Sequence, residues 1–240
     1  MNRVKLRMLA VTLTIFTIFS GLVAYFTSGD TVTNSFSAAT LQIKVSEPNW
    51  KQNTVIVPEQ KIEKDPYIMN IDETPVYVFM QVTVPAERIV LEKSSGDTEK
   101  GNYDDTVIVP LFRFINQEDS YTTDLNSSNQ SHNSGWYHME TTQNKNSSDV
   151  TESYTYLYAW TGENENDTMA VLYPNETTSS PLFNKVIFCN AREDEEDDDN
   201  SLSGSMQNIK IKAFAIQSDY LKSATETELK AANVWRYLSK

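Results

Sequence analysis

The stretch "PVYVFMQVTVP", Pro75 to Pro85, alternates with period two: Val76, Val78, Met80, Val82 and Val84 fall on one side, with a proline at each end. Successive side chains of a strand point to opposite faces, so this pattern predicts a strand with one continuous apolar face, opened by Pro75 and closed by Pro85. Near the C-terminus Ile209, Ile211, Ala213 and Ala215 repeat the pattern, with Lys210 and Lys212 facing out. Between the two, the runs Val107 to Ile115, Tyr154 to Trp160 and Leu182 to Cys189 are apolar on both faces, which suits strands in the middle of a sandwich. Segments this rich in Val, Ile, Tyr and Phe predict a mainly β chain.

The connections Asn116 to Gly135, Gln143 to Thr151 and Arg192 to Ser205 are polar and read as long surface loops. They and their neighbours carry Asn-x-Ser/Thr triplets at Asn126, Asn129, Asn146, Asn166 and Asn175, which are glycan acceptors in a eukaryotic secretory route and also arise by chance in Asn- and Ser-rich loops. The chain closes with "SATETELKAANVWRYLSK", in which Ser223 and Glu226 form a capping-box pattern. A short helix near 224–239 is expected, with Leu229, Ala232, Trp235 and Leu238 on one side to cover an open end of the sandwich.

Upstream, Arg3, Lys5 and Arg7 precede an uncharged apolar run from Met8 to Phe26, the layout of an export signal. A helix of that length reaches roughly 28 Å, so retention as a membrane anchor is the alternative to cleavage. Ser20 and Gly21 loosen the end of the run, and Ala24 is a small residue suited to the position before a scissile bond, which favours a cut between Ala24 and Tyr25. Under either outcome the basic residues stay inside, the rest is exported, and the membrane is met only through the signal. About 215 residues remain, enough for one domain with a proper core. Cys189, the only cysteine, sits in an apolar run and reads as a packing thiol. Removing Arg3, Lys5 and Arg7 takes the formal charge from −13 to −16, which disfavours nucleic acid as a partner because phosphate is repelled.

Three stretches resemble exported proteins of the TasA and camelysin type. "AYFTSGDTVTNSFSAATLQI", Ala24 to Ile43, is similar to the start of that family, where a dedicated signal peptidase cuts beside Ala-Tyr-Phe-Thr. "VPEQKIEKDPYIMN", Val57 to Asn70, looks like the family's Pro-Gly-x-x-Ile-x-Lys-x-Pro-x-Ile-x-Asn block, with Lys64, Pro66 and Asn70 in the matching places and "PVYVFMQVTV" following as the next strand. "IKIKAFAIQSDYL", with Trp235 beyond it, resembles the closing segment. The sequence departs from the family at Glu59, where a glycine is common, and at Ile71-Asp72, where a glycine often follows the asparagine. The resemblance implies a jelly-roll-like antiparallel β-sandwich, secreted to the extracellular matrix or cell surface of a Gram-positive bacterium, that assembles with itself or a related subunit into biofilm or spore-associated fibres.

In such relatives the freed N-terminal segment can enter a neighbouring subunit. Here the apolar residues take even positions at Phe36 and Ala38 and odd positions at Ala39, Leu41, Ile43 and Val45. A one-residue slip turns every side chain to the other face, so this phase change requires a bulge, a bend or two different surfaces. The expected division is a signal over 1–24, an arm over 25–39 and a single sandwich over 40–240. In the arm, Tyr25, Phe26, Val32 and Phe36 are the apolar anchors for β-augmentation of another copy; folding back onto its own domain is the alternative.

Camelysin-type relatives are described as metalloproteases, which makes a zinc endopeptidase the competing function and a monomeric, membrane-anchored adhesin the third. The chain has two histidines and no His-Glu-x-x-His. His132, His138 and Glu140 in "SHNSGWYHME" are the nearest substitute, with His138 and Glu140 on one face only if the strand from Trp136 alternates regularly. Solvated loop and strand histidines are the plainer reading. The run "EDEEDDD" supplies Glu193, Asp194, Asp197 and Asp199 as weak calcium ligands, without the spaced carboxylates and turn glycine of a preformed loop. No catalytic residue or firm cofactor is assigned, and the expected function is structural.

Overall fold

The computed structural model describes residues 41–50, 58–91, 106–122, 129–164, 166–192, 208–221, 225, 227 and 229–238. These belong to one compact unit that begins at Leu41. The elements are β1 (Ile43–Ser46), β2 (Lys61–Glu63), β3 (Tyr67–Asn70), β4 (Val76–Leu91), β5 (Thr106–Pro110), β6 (Phe112–Ile115), β7 (Trp136–Lys145), β8 (Thr151–Trp160), β9 (Lys185–Phe188), β10 (Ala191–Arg192), β11 (Lys210–Gln217) and one short helix, α1 (Ala231–Trp235). Every strand pairing is antiparallel.

β4 organises the molecule. Along its first half it pairs with β11 on one side and β8 on the other, and β7 continues the sheet beyond β8. Its even residues Val76, Val78, Met80, Val82 and Val84 are buried with Tyr154, Tyr156, Tyr158 and Trp160 of β8 against a second sheet, β2-β9-β6, which contributes Ile62, Phe112, Phe114, Val186 and Phe188. The two layers meet where Phe114 stacks on Phe183 at 4.2 Å and turns its edge to Tyr156 at 5.6 Å. The fold is thus a mainly β, antiparallel sandwich. Each of these side chains contributes on the order of 1.5–3 kcal/mol by leaving water.

Pro85 does not close β4. The strand runs on to Leu91 because the proline falls where partners change: β11 ends its pairing at Thr83, β8 reaches Pro85, and β5 takes over from Ala86. A residue without an N–H is tolerated at such a switch, and its carbonyl still accepts the Leu111 N–H at 2.9 Å. The apolar run from Val107 to Ile115 is likewise two strands, β5 in the large sheet and β6 in the small one. Leu111 turns the corner between them, and its carbonyl accepts the Cys189 N–H at 3.0 Å. Such a corner is covered from both sides, which explains the two-sided hydrophobicity. Cys189 is a packed core thiol, and its burial pushes its pKa up to about 12.

The connection from Gln143 to Thr151 is shorter than expected, because strand takes both of its ends. β7 extends to Lys145, and the hairpin needs only residues 146–150: Asn146 Oδ1 accepts the N–H groups of Ser148 and Val150, and Asp149 takes a left-handed φ of 64°. Asn116 builds the same turn with Glu118, Ser120 and Asp119 (φ 58°). Asparagine suits both turns because its short side chain bonds the backbone two and four residues on. Asn166 and Asn175, expected as glycan acceptors by pattern, also shape turns: Asn166 accepts the Thr168 N–H at 2.8 Å, and Asn175 has φ 63°.

The terminal helix starts later than its capping box implies. Lys230 precedes α1 without a side-chain cap, while the Asp167 carbonyl accepts the Ala231 N–H at 2.8 Å and Leu229 O accepts Met169 N–H at 3.0 Å. Tertiary bonds therefore fix the start; Ser223 and Glu226 lie outside the described residues. The buried face is Ala231 and Val234, with Ala232 exposed. It covers the outer face of the large sheet, not an end of the sandwich: Trp235 packs 5.0 Å from Phe79 and 5.3 Å from Phe214, over a second cluster of Tyr77, Leu157, Ala159 and Ile216.

Candidate functional site

β1 is the first described strand in chain order and follows residues 25–39, read from the sequence as an arm. Leu41 and Ile43 turn toward the main core, as the odd phase predicts, and among the described residues β1 pairs with β3 alone. Its far end is clamped by the block that follows. Lys64, 6% exposed, reaches Glu47 Oε1 at 2.7 Å and lies 4.4 Å over the Trp50 ring. Asp65 accepts both the backbone and side-chain N–H of Asn49, at 3.0 and 2.7 Å. A buried ion pair is sound only when its remaining valences are met, and the indole face supplies part of that environment.

Asn70 locks the end of β3. Wholly buried, it donates from Nδ2 to the Thr74 and Leu172 carbonyls at 2.9 and 3.0 Å and accepts the Asp72 N–H on Oδ1 at 3.0 Å. The turn at Ile71-Asp72 has no positive φ, so no glycine is needed there. Glu59 does sit at φ 62°, a left-handed conformation glycine adopts freely and glutamate only at a cost. The arm anchors Tyr25, Phe26, Val32 and Phe36, the cleavage pair Ala24 and Tyr25, and the acidic residues Glu193, Asp194, Asp197 and Asp199 all lie outside the described residues.

The structure brings His132 and His138 together but not Glu140. Their rings flank the fully buried Tyr158 at 5.4 and 5.2 Å. In β7 the register jumps from His138 opposite Tyr158 to Glu140 opposite Leu157, so Met139 is the extra residue of a bulge. Tyr158 faces the main core and Leu157 the outer cluster, which puts Glu140 on the opposite face from His138. His138 Nε2 lies 2.9 Å from Thr141 Oγ1, and His132 Nδ1 lies 3.2 Å from the Asn133 carbonyl. Both histidines are partly buried. Burial pulls the pKa of His132 below its ordinary value, partly opposed by the Asn133 bond; burial and then the neighbouring His132 do the same to His138. No group of three or more metal-ligating side chains converges among the described residues.

Both histidines open onto a cleft of about 820 Å³ walled by the segment ending in β7, the turn after β8 and Ser179-Ser180. Its frame is cross-linked. The Gly135 carbonyl accepts Thr161 N–H at 2.8 Å and Gly162 N–H at 3.1 Å, Ser180 Oγ donates to the Ser134 carbonyl at 2.7 Å, and Trp136 Nε1 donates to the Ser180 carbonyl at 3.2 Å. Gly135 is required: at φ 87° a Cβ would lie 2.7 Å from the Trp160 ring. Buried Asn133 joins the surrounding loops, accepting Gln117 N–H at 2.7 Å and donating to the Pro181 carbonyl at 2.9 Å. Sequence reading missed this cleft because its walls come from separate segments; the Gly-Trp pair at 135–136 was its only local sign. No protein-family model, curated protein or solved structure matches this chain.

Proposed function

We propose that this chain is an exported, non-enzymatic structural protein that polymerises in an extracellular matrix, donating the released segment Tyr25 to Phe36 as a strand to a neighbouring copy. The observation that carries this reading is the setting of β1: it is the described strand next to the arm, has one strand partner among the described residues, and is clamped at its far end by Lys64-Glu47 and Asp65-Asn49. A strand held in this way transmits tension from the arm into the sandwich instead of peeling away. The resemblance of Ala24 to Ile43, Val57 to Asn70 and Ile209 to Leu221 to the TasA and camelysin type adds support. Removal of Met1 to Ala24 by a signal peptidase licenses assembly, since an attached membrane segment hinders docking.

The opposite faces of His138 and Glu140 weigh against an endopeptidase built on those two residues and His132. Electron microscopy of the processed protein, with and without residues 25–36, tests the proposal. Filaments are expected only with the arm. A processed protein that stays monomeric at high concentration, or filaments from the armless form, would overturn it.

A further inference from the structure

The cleft beside β7 has a definite chemical character. Among the described residues its lining carries one carboxylate, Glu163, and neither lysine nor arginine. Burial disfavours the charged form of both imidazoles, so the described lining residues offer an anion no strong cationic partner. What remains is a field of neutral donors and acceptors. Asn164 and Asn166 each use one end of the amide on Thr168, through Nδ2 at 3.0 Å and Oδ1 at 2.8 Å, and have no other partner among the described residues for the opposite end. Tyr137, 40% exposed, adds an aromatic surface to this lining on the face of β7 opposite His138, since it pairs with Ala159 of the outer cluster.

A ligand matching such a lining is uncharged, offers hydroxyls that both donate and accept, and has an apolar C–H face for the ring. We propose that this cleft is a binding site for a neutral saccharide, with Tyr137 as the stacking surface and Glu163, Asn164 and Asn166 reading the hydroxyls. The cross-linked frame of Gly135, Trp136 and Ser180 favours binding because the site is ordered before the ligand arrives. The site is independent of arm donation and stands or falls without it.

Calorimetric titration of the exported protein with cellotetraose, maltotetraose, chitotriose and mannotriose tests the proposal. The first three represent polysaccharide and the last a glycoprotein glycan, so the responding probe identifies the source. At least one is expected to bind with Kd below about 1 mM, and Tyr137→Ala or Asn164→Ala to weaken it at least about tenfold. Both residues are accessible, and Asn164 gives up only its exposed bond to the Thr168 carbonyl, so both variants should fold and melt close to the parent temperature, which separates lost binding from lost fold. No saturable heat from any of the four probes, or binding that survives in both folded variants, overturns the proposal.

Discussion

Asn70 shows how much one side chain can hold. Its three hydrogen bonds tie β3 to the partly buried turn before β4 and to Leu172, from a side chain that is itself wholly buried. Asn70→Ala takes the donor from the Thr74 carbonyl and the acceptor from the Asp72 N–H, while the Leu172 carbonyl keeps its bond from the Val76 N–H at 3.0 Å, and a loss of about 2 kcal/mol is expected by urea denaturation; a loss within about 0.5 kcal/mol would show that the turn relaxes to meet water. The position was legible as a member of a motif. Its reason was not, because Leu172 lies 102 residues away. The histidines give a second test at this scale. Burial lowers both pKa values in the fold, so as pH falls below the unfolded value of about 6.5 the unfolded chain takes up protons that the folded chain resists. Their contribution to stability is full above that value and is lost as pH descends toward the folded pKa values. Urea midpoints should therefore fall between about pH 7.5 and about pH 5.5, with a smaller fall in the His132→Gln, His138→Gln double variant. Equal midpoints at the two pH values in the parent protein would refute it.

Elements were readable where a pattern was local and hidden where tertiary partners set the boundary. The alternation in β4 and β11 gave the inward faces correctly, down to Lys210 and Lys212 pointing out. Period two says nothing of when partners exchange, so neither the passage of β4 through Pro85 nor the break at Leu111 could be seen. The bulge at Met139 was equally silent, although it decides which face Glu140 occupies. Tyr77 and Phe79 marked a second apolar face on β4, and α1 is what covers it. Trp235→Ala removes the ring from both Phe79 and Phe214 while leaving the main core intact, so thermal unfolding should show a loss of about 2–3 kcal/mol with the β spectrum retained at low temperature. A loss below about 0.5 kcal/mol would mean that the helix is not a significant cover.

Across the whole molecule, charge would oppose the assembly proposed for residues 25–36. Under the proposed cleavage, loss of Arg3, Lys5 and Arg7 would take the formal charge from −13 to −16, so each subunit approaching another would meet a like-charged surface. The proposed strand donation would be a contact event, driven by backbone hydrogen bonds and by burial of the apolar side chains of Tyr25, Phe26, Val32 and Phe36, and neither acts until two subunits are nearly touching. The repulsion acts earlier and is what salt removes: its range is about 30 Å at 0.01 M ionic strength and about 10 Å at 0.1 M. Assembly of the processed protein, followed by light scattering, should therefore accelerate as sodium chloride rises across that interval. Calcium at matched ionic strength separates screening from binding. If Glu193, Asp194, Asp197 and Asp199 gather the ion, calcium accelerates assembly beyond sodium, and neutralising those four residues removes the excess; if screening alone acts, the two salts coincide. Slower assembly with added salt would reverse the premise, because it would mean that the docking contact itself is made between opposite charges.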